Sequence, residues 1–277
     1  MKSITEDLIR NTIRIRPNQS HKGTYGRVTL VGGNQNMGGA IIMATTAAVY
    51  SGAGLVSTLT DMHNLSSLHS RLPEAMVANI LDSNQIKKLI PGANVVVVGP
   101  GLGTDDQSKN ILQLTLQNVQ PNQIVIIDGS AITMVAQDKI KLPKAHIIFT
   151  PHQMEWQRLS GIKIADQKNQ NLNQKVRDKL NAIVVLKSHH TQIYTSKDTF
   201  INPGGTPAQA TGGMGDTLAG MIAGFTAQFK NTENAVLAAV YAHSAIADKL
   251  AERRYVVLPH QIAERIPFFM HNYQSFK

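Results

Sequence analysis

In "NVVVVGPGLG", Asn94 to Gly103, four valines stand in succession and glycines follow. The run Val95 to Val98 is apolar at every position, without the alternation of a strand that keeps one face in water. Strands covered on both faces look like this, and sheets built from them are mostly parallel. The glycines turn the chain toward "DDQSKNILQLTLQNV", which has helical spacing. The same unit of apolar run, turn and helix recurs on either side. "RVTLVGG" precedes a helix from about Gly39 to Tyr50, "QIVIIDGS" precedes "AITMVAQ", and "HIIFTPH" precedes "QMEWQRLSG". "AIVVLKS" leads into "QIYTSKDTFIN", read as a hairpin. Two long helices follow, "DTLAGMIAGFTAQF" and "AVLAAVYAHSAIADKLAERR". The expectation is one α/β domain over residues 1–277, a mostly parallel sheet with helices on both faces. Ligands in such sheets bind beyond the carboxyl ends of the strands. Those ends carry Gly32 and Gly33, Gly99 to Gly103, Asp128, His152 and Lys187, which should gather along one edge.

Composition narrows the function classes. The chain has 277 residues, 42% of them hydrophobic and 16% charged, so a sizeable core is available. There is no cysteine, which excludes disulfides and thiolate metal sites. The start, "MKSITEDLIRNTIRIRP", alternates charged with apolar residues and does not read as a signal peptide. The run "GGAIIMATTAAVYSGAGLV" is broken by Gly, Thr and Ser and suits a buried helix and a strand better than a membrane span. A cytoplasmic protein without membrane contact is expected. The net charge of +9 is scattered rather than clustered, and few aromatics are present to stack on bases. Small anionic ligands fit this balance better than nucleic acid.

Three glycine-rich loops fall at or beside the expected edge. "GGNQNMGGA", Gly32 to Ala40, lacks the lysine of a P-loop, and "GPGLG", Gly99 to Gly103, lacks the dinucleotide spacing. Either alone reads equally well as a tight turn. The third, "TGGMGDTLAG", Thr211 to Gly220, is more specific. Asp216 caps a helix on the plainer reading. Capping does not need Gly212, Gly213 and Gly215 as well. Those glycines favour an anion hole of backbone amides at Gly213, Met214 and Gly215, beside which Asp216 takes the proton of a hydroxyl attacking a phosphoryl group. In "TPHQMEW", Glu155 completes a capping box with Thr150 or His152, or it organises a hydrated magnesium ion while His152 touches substrate. Zinc at His152 and Glu155 is disfavoured, because no further clustered ligand appears. Lys187 ends a strand, where it is either solvated or set to hold a nucleotide phosphate.

The ordered set "HKGTYGRVTLVGG", "SGAGLV", "GPGLG", "TPHQMEW", "VVLKS" and "TGGMGDTLAG" resembles the ADP- or ATP-dependent NAD(P)H-hydrate dehydratases, a branch of the ribokinase-like superfamily. The likeness runs from about His21 to Gly220. "GMGD", Gly213 to Asp216, matches the glycine-rich segment with the catalytic aspartate. "HQME" is similar to the superfamily's Asn-x-x-Glu magnesium element, with histidine first. The resemblance implies a repair reaction: the ring hydroxyl of hydrated NADH or NADPH (NADHX, NADPHX) is phosphorylated from ADP or ATP with Mg2+, and loss of phosphate restores the dihydropyridine. It implies that Ala40, Gly103, His152 and Asp216 line the hydrate site. Lys187, Ser188, His189, His190, Thr191 and Gly215 would hold the adenine nucleotide. It also implies ADP as the usual donor in bacteria and a homo-oligomer, often a tetramer.

Departures are visible. "DGSAI" puts Ser130 where a second acid is usual, "LKS" replaces Leu-Lys-Gly, and Met214 stands for a common threonine. The dehydratase-like region takes nearly the whole chain, so the epimerase domain fused to some relatives is not expected within it. The nearest alternative is a vitamin-precursor kinase, for hydroxyethylthiazole or hydroxymethylpyrimidine, which stops at a phosphorylated product. A non-catalytic nucleotide-binding regulator is the other, and an intact Asp216 argues against it, since binding alone gains nothing from an acid beside a phosphate.

Overall fold

A computed structural model describes residues 1–275 of the chain. Its strands are β1 (Lys2–Ser3), β2 (Arg27–Val31), β3 (Leu55–Thr60), β4 (Met76–Asn79), β5 (Val95–Val98), β6 (Ile124–Ile127), β7 (His146–Phe149), β8 (Ala182–Leu186), β9 (Gln192–Tyr194) and β10 (Thr199–Ile201). The helices are α1 (Glu6–Thr12), α2 (Gly38–Tyr50), α3 (Leu65–Arg71), α4 (Ser83–Leu89), α5 (Asp106–Gln117), α6 (Ser130–Asp138), α7 (Gln153–Ser160), α8 (Gln170–Leu180), α9 (Met214–Gln228), α10 (Thr232–Ala251) and α11 (Pro259–Tyr273). All ten strands join one sheet in the order β1-β10-β9-β8-β7-β6-β5-β2-β3-β4. Only β9 runs against its neighbours, so the expected hairpin is the one antiparallel interruption.

The four valines of β5 are fully buried and lie between Val28–Val31 on one side and Ile124–Ile127 on the other. Val95 and Val97 share a core with Val28, Leu30 and Ile126 and with residues of α2, α9, α10 and α11. Val96 and Val98 point the opposite way, into a core with Val125, Ile127, Ile86 of α4, Leu112 of α5 and Ile132 of α6. Each buried side chain of this kind contributes roughly 1.5–3 kcal/mol.

Strand order reverses between β2 and β5, and the two loops that leave this crevice are stitched together. Gly33 N–H donates to the Pro100 carbonyl at 2.9 Å, and Asn34 N–H to that of Gly101 at 2.8 Å. The buried Asn64 amide donates to the Gly33 carbonyl at 2.9 Å and holds the first loop from below. Behind the crevice α2 and α9 pack backbone to backbone. A Cβ on Gly220 would lie 2.0 Å from the Ala44 carbonyl oxygen, so only glycine permits the contact. Helix α11, with Pro267 inside it, and the two-residue β1 at the sheet edge have no counterpart in the sequence reading. No helix among the described residues is long and apolar enough to cross a membrane.

Candidate active site

The carboxyl ends of β6, β7 and β8 deliver three groups into one place. Asp128 follows β6 and is almost fully buried. Its Oδ1 accepts from Thr150 Oγ1 at 2.6 Å and from Lys187 Nζ at 2.9 Å. Lys187 follows β8 and is tied to the end of β7, its N–H donating to the Pro151 carbonyl at 2.8 Å. Burial alone would depress the lysine, but Asp128, Glu155 and Asp216 outweigh it, and its pKa ends above the ordinary value. One cation is thus held among three carboxylates.

Helix α9 closes the site. It starts at Gly213, whose φ of 92° only glycine adopts cheaply, and no side chain caps it. The amides of Gly213, Met214 and Gly215 therefore lie beyond the reach of any carbonyl of the helix. Gly215 faces Lys187: a Cβ there would come 3.0 Å from Nζ. Asp216 is the third helical residue, so the reading of it as the cap does not hold. Its pKa is pushed up to about 6, chiefly by burial, with the Asp128 charge adding and Lys187 opposing. Thr211 Oγ1, Thr217 Oγ1 and His243 Nε2 are buried here without a hydrogen-bond partner among the described residues. Orphaned polar atoms gathered in one region mark a place shaped for something other than packing.

At the start of α7 the capping box is formed by His152, not Thr150. His152 Nδ1 accepts from the amides of Met154 and Glu155 at 3.1 and 3.2 Å, and Glu155 Oε2 accepts from His152 N–H at 2.7 Å. Burial raises the Glu155 pKa against the pull of Lys187, while burial and Lys187 both lower that of His152. The box fixes the placement of both side chains, with Glu155 buried and His152 more exposed. Among the described residues no group of three or more His, Cys, Asp or Glu is placed to cage a metal. A protein-caged ion does not fit. A magnesium ion that keeps its waters and leans on phosphates does, because Glu155 Oε1 takes no backbone bond and has only the His152 ring nitrogen beside it, at 3.4 Å.

The remaining expected residues form the flanks. Gly101 lies against Ala40, with room for no side chain (a Cβ would come 3.0 Å from that of Ala40). Gly103 N–H donates to Ser130 Oγ at 3.3 Å, so the residue that departs from the usual acid supports this loop. On the other flank the turn after Lys187 is self-bonded. Ser188 Oγ donates to the His189 carbonyl, Thr191 Oγ1 donates to that of Ser188, and His190 sits at φ 58°. The His189 and His190 rings meet edge to face, 4.0 Å apart. Asp128 is the member that sequence reasoning did not assign. Its signal was an acid directly after an all-apolar strand. A separate cavity of about 450 Å3, lined by Arg14, Arg16, Tyr25 and Lys230 among others, opens near the amino end of β2 and holds no carboxylate.

An acid, a lysine and free helix amides meeting at the carboxyl edge of a mostly parallel sheet define a ribokinase-like enzyme of phosphoryl-transfer type. Solved structures agree. A ribokinase-like superfamily protein of Enterococcus faecalis V583 superposes with a TM-score of 0.97 at 46% identity, over 99% of this chain and 96% of that one. The hydroxyethylthiazole kinase of Pyrococcus horikoshii shares the fold, with a TM-score of 0.62 at 14% identity, over 90% of this chain and 89% of that one. The family model for NAD(P)H-hydrate dehydratase matches residues 28–268, and the chain belongs to that family. The ADP-dependent (S)-NAD(P)H-hydrate dehydratase of Lactiplantibacillus plantarum is 55% identical over 277 residues, covering 100% of this chain and 99% of that protein. The ADP/ATP-dependent NAD(P)H-hydrate dehydratase of Bacillus subtilis, co-crystallised with ATP/Mg2+, superposes with a TM-score of 0.87 at 28% identity over 99% of both chains.

Proposed function

We propose that the chain, acting as one domain, dehydrates (6S)-NADH hydrate and (6S)-NADPH hydrate to the reduced dinucleotides at the expense of ADP. The observation that carries this is the meeting of Asp216, Lys187 and the open α9 amides in a chain of this family. Asp216 takes the proton of the ring hydroxyl as its oxygen bonds the terminal phosphorus of ADP and AMP leaves. The Gly213–Gly215 amides and Lys187 hold the oxygens on which charge grows. Hydroxide leaves poorly and phosphate well. The ring nitrogen expels it, and loss of the neighbouring ring proton restores the dihydropyridine. Ala40, Gly103 and His152 line the hydrate side, and the Lys187–Thr191 turn lines the nucleotide side. Magnesium neutralises phosphate charge when bound with the nucleotide, and Glu155 would hold it through water. A cytoplasmic location and assembly as a homotetramer belong to the same reading.

The direct test mixes the protein with NADH hydrate, magnesium and ADP or ATP and follows the reduced-nicotinamide absorbance. Recovery should depend on nucleotide, with ADP at least as effective as ATP. Phosphorylation of a thiazole or pyrimidine alcohol without such recovery would transfer the chain to the vitamin-precursor kinases.

Gly215 offers a second check. The β-branched side chain of Gly215→Val would press on Lys187 Nζ, 3.0 Å from the position of the added Cβ. The lysine need give only slightly and keeps its bond to Asp128, while the added bulk crowds the amides beside it. Calorimetric titration should show ADP affinity reduced by about tenfold or more, the worth of one charge-assisted contact, with the melting temperature nearly kept. Wild-type affinity in a folded variant would place the phosphate elsewhere.

A further inference from the structure

The segment Asn202–Gly213 links the end of β10 to the open start of α9, and apart from the turn Pro207–Gln209 it has no regular structure. It is held largely from outside. On the sheet side Asn202 N–H donates to the Thr191 carbonyl at 2.9 Å, joining it to the turn that follows Lys187. Its other anchors come mainly from α10. Asn202 Nδ2 donates to Ser244 Oγ at 2.8 Å, and Gly205 N–H donates to Asp248 Oδ2 at 3.0 Å. Gln209 Nε2 lies 3.4 Å from His243 Nδ1, and Gln209 Oε1 caps the turn at Thr206. The chain just past α10 adds a bond from Val257 N–H to the Ala208 carbonyl at 3.0 Å.

A buried histidine and serine are out of place in a helix whose other buried residues are alanine, valine, leucine and isoleucine. Buried polar groups persist where they have partners, and these two face the same segment as Asp248. Burial pushes the His243 pKa down to about 4, with the Met214 backbone opposing and Lys187 assisting. It is a neutral group near the phosphate side and adds no charge there.

We propose that Asp248 and His243 are positioning residues for the nucleotide: from one side of α10 they fix the segment Asn202–Gly213, and with it the place of the Gly213–Gly215 amides and of the turn after Lys187. Neither residue is given a contact with ADP. The inference rests on the nucleotide reading of those amides.

The test uses the full chain with Asp248→Ala, Asp248→Asn and His243→Leu, read by ADP calorimetry, thermal melts and steady-state rates. Loss of this backbone bond is expected to weaken ADP binding roughly 3- to 10-fold in Asp248→Ala. KM for ADP should rise in step with KM for NADH hydrate unchanged, and kcat at saturating ADP should fall as well, because the displaced amides also hold the oxygens on which charge grows. Asp248→Asn keeps an acceptor oxygen and should stay close to wild type. His243→Leu keeps the bulk and should move in the direction of Asp248→Ala. General destabilisation would instead lower the melt without separating the two KM values. Unchanged ADP affinity in Asp248→Ala, or equal losses in Ala and Asn variants, would overturn the proposal. A wild-type protein that fails to bind ADP would overturn the nucleotide reading and this inference together.

Discussion

Asp216→Asn should fold, bind ADP and fail to turn over. Asparagine has nearly the shape of aspartate but cannot accept the hydroxyl proton as a carboxylate does, and loss of a general base lowers rate by roughly 10²–10⁴-fold. Stability should not suffer, because Asp216 does not cap α9. Its folded pKa of about 6 lies above the ordinary 3.8, so the folded state binds the proton more tightly than the unfolded chain. Stability therefore falls as pH rises through that window, and a neutral amide removes the penalty. The variant should melt no lower than wild type at neutral pH and bind ADP at least as well. The same shift sets the rate profile. With the base protonated below about pH 6, kcat/KM of the wild type should drop about tenfold per unit on the acid side. Turnover of the variant within a few-fold of wild type would remove Asp216 from the chemistry.

Lys187→Met should lose both nucleotide binding and much of the stability. It removes the cation from beside Asp128, 2.9 Å away and almost fully buried, and leaves that carboxylate with the charges of Glu155 and Asp216 nearby. Breaking a buried pair in this way costs about 3–5 kcal/mol. The loss should be largest above neutral pH and shrink in acid, as Asp216 and Glu155, whose pKa values burial raises, take up protons. Adding Asp128→Asn should restore much of the melting temperature, because the amide keeps an acceptor for Thr150. ADP binding should stay weaker by roughly 10- to 100-fold in single and double variants alike, since the contact with phosphate is gone from both. Recovery of affinity in the double variant would make Lys187 a counter-ion only.

The sheet centre and the site were legible to different degrees. Four valines in a row left only a strand buried on both faces, and the glycines behind β2 and β5 marked where the cleft opens. The long apolar helices after Asp216 followed from the same patterning. Helix α11 did not, because Pro267 breaks the expected helical signal although neighbouring contacts carry it. Strand β1 has two residues, too few for any period to show. In the site, Asp216 and Lys187 could be named from their positions beside glycines and at a strand end. Asp128 could not be given a part, because its importance lies in meeting Lys187 across 59 residues of sequence, which no local pattern records. Of the two readings of His152, the local one as a helix cap is the one the fold realises.

The contact of Gly220 on the Ala44 carbonyl sits four residues beyond Asp216 in α9 and four beyond Ala40 in α2. That is about 6 Å of helix on each side. The spacing between the Ala40 and Asp216 ends of the two helices is consequently gauged by main chain pressed on main chain, well behind the proposed site. Side chains lining the cleft can be exchanged for a different alcohol without resetting that gauge. A cleft whose calibre is kept in the backbone leaves its side chains free to answer to the shape of the alcohol alone.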